Sequence, residues 1–236
     1  GIAVFTVVLH WSVVWVELLQ GYTKTIWEYS SQFFILFPCH FTMYLLLAVA
    51  IMAYKGKTDS KIFRWIATSV AYFGVVGAAV ALLSESHAVY NFEALKDYGN
   101  IRYMLSHGTL LLGCLCVFLG GFFKIRVNNI FPFIGVGICA IIIGLIDQGI
   151  FSAFGLTTSL TDKNPMYMFG PANGIGIFSI WVMLGIVIPA LLLFLIIYEF
   201  FAYKKEDRWY KNLHLNEYLP VPPPPPRQLI FLNRVL

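Results

Sequence analysis

Apolar residues run along this chain in long blocks, broken by short polar segments. A helix that crosses the hydrocarbon layer of a bilayer needs about 20 mostly apolar residues. Six stretches fit: Ala3–Gln20, Gln32–Tyr54, Phe63–Leu83, Met104–Phe123, Ile130–Ser152 and Ile175–Tyr203. The pattern predicts an all-α membrane protein, a bundle of six transmembrane helices over residues 1–203, followed by a separate tail over 204–236. The first stretch has neither a charged leader nor a small-residue cleavage site, so it reads as a span and not as a signal peptide. It is the shortest, opens at residue 1 and carries Glu17, so the natural chain is expected to extend upstream of Gly1.

Small residues mark where such helices touch, because lipid offers no hydrophobic drive for helix association. Gly74 and Ala78 form a small-xxx-small pair, and Gly113, Gly120, Gly121, Gly135, Gly137 and Gly144 add further positions for close packing.

Composition narrows the class. Of 236 residues, 59% are apolar and 12% charged, against roughly 45–50% and 25% in soluble domains. A soluble globular enzyme, a disordered chain and a nucleic-acid binder are excluded. The net charge of +4 is not a basic patch, because 12 of the 16 Lys and Arg fall in three short segments. The four cysteines lie in or beside apolar runs and make no disulfide framework.

Those three segments orient the bundle, since Lys and Arg gather on the cytoplasmic side. They are the loop after the second span (Lys55, Lys57, Lys61, Arg64), the loop after the fourth (Lys124, Arg126) and the tail (Lys204, Lys205, Arg208, Lys211, Arg227, Arg234). The opposite side has Lys24, Lys96, Arg102 and Lys163. Both termini are therefore predicted to be cytoplasmic, with loops 85–103 and 153–174 outside. In the tail, Pro220 and the run Pro222–Pro226 predict extended polyproline II. That segment is either a semi-rigid spacer or, over Pro220–Leu236, the ligand of a protein partner.

Ionisable groups within a membrane are expensive and mark functional sites by default. In this orientation Cys39 and His40 lie about two turns below the outer surface, and Ser106 and His107 about one turn. Asp147 and Gln148 lie about one turn from the end of the fifth span. Glu85 and His87 close the third span and Glu17 the first, whereas His10, in mid-span, and Glu199, at the inner end of the last span, stand apart. So many polar groups at one depth predict a shared pocket that opens outward. Glu17, Glu85 and His87 also suit side chains that reach the headgroups. Cys39, His40, His107 and Asp147 are too short for that, and are expected to face the bundle interior.

Adjacent Cys39 and His40 point about 100° apart on a helix, so a nucleophilic Cys39 needs a base from another helix. His107 is the best placed by depth, and Asp147 is a candidate to orient its imidazole, as the third member of a triad does. The chemistry would be acyl transfer through a thioester. Each residue also has a plain reading: a buried cysteine is a small hydrophobe, and an intramembrane histidine a hydrogen-bond donor between helices. A metal site from Cys39, His40, His87 and His107 lacks paired-ligand spacing. Cys114 and Cys116 diverge on a helix, and Cys139 reads as packing. No metal and no cofactor is predicted.

Three segments carry a resemblance: Phe37-Pro38-Cys39-His40 at the second span, Ser106-His107-Gly108 at the fourth, and Asn164-Pro165-Met166-Tyr167-Met168-Phe169-Gly170-Pro171 before the sixth. In a six-span frame they resemble the bacterial YwaF integral membrane proteins and their eukaryotic relatives, the transmembrane protein 164 family. The likeness covers most of the chain between residues 32 and 200. Eukaryotic members are regarded as phospholipid acyltransferases that use a cysteine and a histidine. The resemblance thus implies Cys39 as nucleophile, His107 as base and, slightly, a bacterial plasma membrane; the proline tail has no counterpart in it.

The reading that results is an enzyme of lipid acyl transfer or hydrolysis, with membrane lipids as its partners. His40, Glu85, His87, Tyr103, Tyr167 and Phe169 are expected at the substrate. One alternative is a small-molecule transporter with Asp147 and Glu85 as ion or proton sites, although no inverted repeat is visible. The other is a non-catalytic subunit of a larger complex, docked through the proline tail.

Overall fold

The computed structural model describes residues 1–21, 38–84, 98–154 and 183–211. All regular structure among them is helical: α1 (Ile2–Leu19), α2 (Pro38–Tyr54), α3 (Lys61–Ser69), α4 (Val75–Ser84), α5 (Tyr98–Leu119), α6 (Ile130–Ala153) and α7 (Ile188–Ala202). A π turn at Val70–Gly74 joins α3 and α4 into one rod, and a second, Met183–Val187, leads into α7. Five rods are long and apolar enough to cross a membrane: Ile2–Leu19, Lys61–Leu83, Tyr98–Leu119, Val127–Ile150 and Leu184–Ala202. α2, with 17 residues, is a shorter apolar helix. The first residues of the predicted second span, 32–37, lie outside the described residues, as do 175–182 of the sixth. The chain is an all-α, multi-pass membrane protein.

Local chemistry sets the helix ends. Ser60 caps α3, its side-chain oxygen accepting from Phe63 N at 3.1 Å and satisfying one of the orphan donors of the first turn. Gly56 (φ +67°) and Gly121 (φ +71°) take the chain out of α2 and α5 through the left-handed region, where a side chain is strained. Pro132 sits in the first turn of α6, where its missing N–H has no helical partner to lose. Pro189 cannot donate to Gly185, and the wider π turn just before α7 accommodates that gap.

Helix α1 turns Ala3, Thr6, Val7, His10 and Val14 inward, a stripe at three- and four-residue spacing. It runs antiparallel to α5. Thr6 donates to Thr109 at 3.0 Å, Arg102 reaches His10, and Ser12 meets Tyr98, one contact per turn or so. Together with α2 and the α3–α4 rod they enclose the main core, where Leu46, Phe63, Val70, Leu110 and Val117 are fully buried. Ser69 shares its hydroxyl proton between Trp65 O (2.9 Å) and Pro132 O (2.8 Å), tying α3 to α6. The outer faces carry large exposed apolar side chains such as Val8, Trp15, Ile146 and Phe194, as lipid-facing surfaces do.

The small residues behave as contacts only in part. A methyl group at Gly74 would fall against Cys114 Sγ and 2.8 Å from Thr42 Cγ2. One at Gly113 would lie 2.5 Å from Leu46 Cδ2, and one at Gly135 would lie 3.0 Å from the Trp65 ring, whereas one at Gly137 would meet nothing within 4 Å among the described residues. Cys139 corrects the sequence reading: it is exposed on α6 and takes no part in the core among the described residues.

Glu199 is explained by its surroundings at the end of α7. It is 1% exposed, yet both carboxylate oxygens are used: Oε1 accepts from Arg126 Nη1 at 3.0 Å and Oε2 from Val127 N at 2.8 Å. Arg126 also donates to Asp207 O at 2.6 Å, and its guanidinium lies 3.6 Å from the Tyr203 ring centre. This clasp fastens the loop between α5 and α6 to the end of α7.

Candidate functional site

A cluster of polar residues forms where α1, α2 and α5 pack. His10 and His40, 5% and 6% exposed, pack against each other with ring centres 4.4 Å apart and planes tilted by 54°. His10, which the sequence sets apart in mid-span, thus shares the surroundings of His40. Arg102 joins them: its Nη1 donates to His10 O at 3.2 Å and lies 3.5 Å from His10 Nδ1. The sequence reading placed Arg102 in an outer loop. That assignment is corrected, because α5 begins at Tyr98 and holds Arg102 one turn inside the helix. Trp11 donates to Tyr44 OH at 3.0 Å beside this cluster.

His107 is buried on the next turn of α5. Its Nδ1 lies 2.9 Å from Tyr103 O. A carbonyl oxygen only accepts, so the proton is on Nδ1 and the lone pair on Nε2. Among the described residues no hydrogen bond uses Nε2. The Tyr103 ring lies 4.1 Å from the imidazole at 35°, and its hydroxyl donates to Ala81 O at 3.2 Å. Tyr103 is therefore held between α4 and α5, as a support for His107.

Cys39 is half-buried on α2, with the backbone N–H groups of Cys39 and His40 against its thiol. Arg102 is close enough for its charge to act on both Cys39 and His107. The structure does not join the proposed triad. No hydrogen bond links Cys39 Sγ to His107, and none links His107 to Asp147, among the described residues. Tyr103 O takes the orienting position that the sequence offered to Asp147.

Asp147 and Gln148 project from the buried face of α6, 5% and 4% exposed. Asp147 Oδ2 and both polar atoms of the Gln148 side chain have no hydrogen-bond partner among the described residues. Glu85, His87, Tyr167, Phe169 and the proline tail lie outside the described residues. Among the described residues no group of three His, Cys, Asp or Glu converges as metal ligands would. A separate cavity of about 400 Å³ lies between the two π turns, walled by apolar and aromatic residues that include Ala71, Tyr72, Phe118 and Leu191. None of the polar cluster lines it.

Sequence reasoning missed Arg102 and the partner of His10. A signal existed for the second: Ala3, Thr6, His10 and Val14 share one face of α1, so His10 had to meet a neighbouring helix. No protein-family model matches this chain, and no curated protein or solved structure matches it.

Proposed function

We propose that this protein is a membrane-embedded enzyme of lipid-ester acyl transfer, of the transmembrane protein 164 kind, with Cys39 as nucleophile and His107 as base. The observation that carries the reading is the tautomer of His107: Nδ1 faces Tyr103 O at 2.9 Å, which leaves on Nε2 the lone pair that a base requires. Arg102, whose charge acts on the thiol, supports it by supplying the positive charge that a thiolate, or the oxyanion of a tetrahedral intermediate, needs in a low-dielectric site.

In the step proposed, His107 Nε2 takes the thiol proton and Sγ attacks the ester carbonyl. The lipid alkoxide leaves with that proton, and a thioester remains on Cys39 until a second alcohol or water takes the acyl group. Catalytic hydrogen bonds are often open before substrate binds. The reading asks for Cys39 to turn toward Nε2 once a lipid ester fills the space.

The test is the intact mass of detergent-solubilised protein after incubation with phospholipid, before and after neutral hydroxylamine. Wild type should carry a fatty-acyl mass that hydroxylamine removes, and Cys39→Ser should carry none. His107→Gln should form the adduct about 10²–10⁴ times more slowly, the usual worth of a positioned base. An identical adduct on Cys39→Ser would defeat the proposal.

A second reading is favoured by Asp147 and Gln148, because buried polar atoms without partners call for an ion, a water or a ligand group. In a transporter, Asp147→Asn would abolish substrate uptake into proteoliposomes while Cys39→Ser would leave it intact.

A further inference from the structure

Arg102 has one edge in use and one edge open. Nη1 is committed to His10: it donates to the carbonyl oxygen at 3.2 Å and lies 3.5 Å from Nδ1. His10 is itself packed against His40, ring centres 4.4 Å apart. The guanidinium is thereby fixed in direction, while its Nε, shielded from solvent, has no acceptor among the described residues. A charged N–H buried without an acceptor is costly, and within a bilayer no bulk water makes up the loss. The Nε edge of a guanidinium presents two parallel N–H groups, which match two oxygens of one phosphate. Glu17, on the same helix as His10, acts on Arg102 through its charge but does not satisfy Nε.

We infer that the Nε edge of Arg102, positioned by His10, which packs on His40, is the subsite for the phosphate of a membrane phospholipid. Position favours this anion. Arg102 is one turn inside α5, about 6 Å from the helix start, which in the bundle's predicted orientation is just below the outer headgroups. A phosphate held there leaves the lipid's ester directed toward Cys39 and His107, the two groups that Arg102 neighbours. The inference rests on the acyl-transfer reading for the role of the ester, though not for the binding itself.

Binding is measured on the whole chain in neutral detergent by native mass spectrometry, with phosphatidylglycerol, diacylglycerol of the same acyl chains, or inorganic phosphate as the probe. Wild type should retain phosphatidylglycerol and not diacylglycerol. Arg102→Gln should weaken phosphatidylglycerol binding at least tenfold. Arg102→Lys, which keeps the charge and loses the fork, should fold as wild type and bind less tightly by several-fold. Equal retention of phosphatidylglycerol by both Arg102 variants, or of diacylglycerol by wild type, would overturn the inference. Displacement of phosphatidylglycerol by millimolar inorganic phosphate would overturn the lipid source and give the site to a soluble anion. Cys39→Ser should bind phosphatidylglycerol as wild type does, so failure of the thioester chemistry shows in the adduct mass and failure of the subsite shows in retention.

Discussion

Tyr103 serves His107 twice, through its carbonyl oxygen and through its ring, and serves α4 once, through its hydroxyl. The roles separate by substitution. Tyr103→Phe keeps carbonyl and ring, and should cost about 1 kcal/mol in unfolding stability, one hydrogen bond's net worth, with no change in adduct formation. Tyr103→Ala lets the imidazole turn away from its carbonyl partner, and should slow adduct formation at least tenfold beyond any loss of folded protein. Parallel measurement of unfolding in micelles and of adduct mass checks both. At this scale the sequence exposed Cys39, His40, His107 and Asp147, because a short polar side chain in a lipid-length apolar run has to be accounted for. It did not expose Arg102. A positive charge near a span end doubles as a topological signal, and that reading assigned it to a loop. The contact of His10 with His40 was invisible for another reason, since it depends on which two helices meet.

The helices themselves were legible as runs of apolar residues, and their ends less so. Tyr98-Gly99-Asn100-Ile101-Arg102 reads as loop by polarity, yet it is the first turn and more of α5, because Ser12 and His10 on α1 supply partners for Tyr98 and Arg102. Neither π turn had a sequence signature, although Pro189 gave a local reason for the second. The Arg126–Glu199 clasp is the element-level contact with the largest expected energetic effect. Glu199→Ala should lower unfolding stability by about 3–5 kcal/mol, the cost of breaking a buried pair from one side. The double variant with Arg126→Ala should lose less than the two single losses together, because the pair acts as a unit. Denaturant unfolding of the four proteins in micelles closes that cycle.

For the molecule as a whole, moving Arg102 into the bundle leaves three basic residues on the side predicted to be outside and strengthens the charge asymmetry. Single cysteines introduced into a background without the native four should report it. Lys57→Cys and Lys205→Cys, both at exposed positions, should react with a membrane-impermeant maleimide only after cells are opened. Gln20→Cys, exposed at the end of α1, should react in intact cells. Labelling of all three in intact cells would refute the orientation.

The π turn at Val70–Gly74 governs how this architecture can vary in length. One extra residue in a turn advances the helix face by about 100°, so α3 and α4 are out of phase along a single rod. Ser69 on one side of the turn answers to Pro132, and Ala81 on the other answers to Tyr103. Losing a single residue between them would leave a sequence that still reads as a perfect span, with its two halves no longer facing their own partners. Natural relatives of this chain should therefore gain and lose residues in the connections between rods, and keep the count from Ser69 to Ala81 fixed.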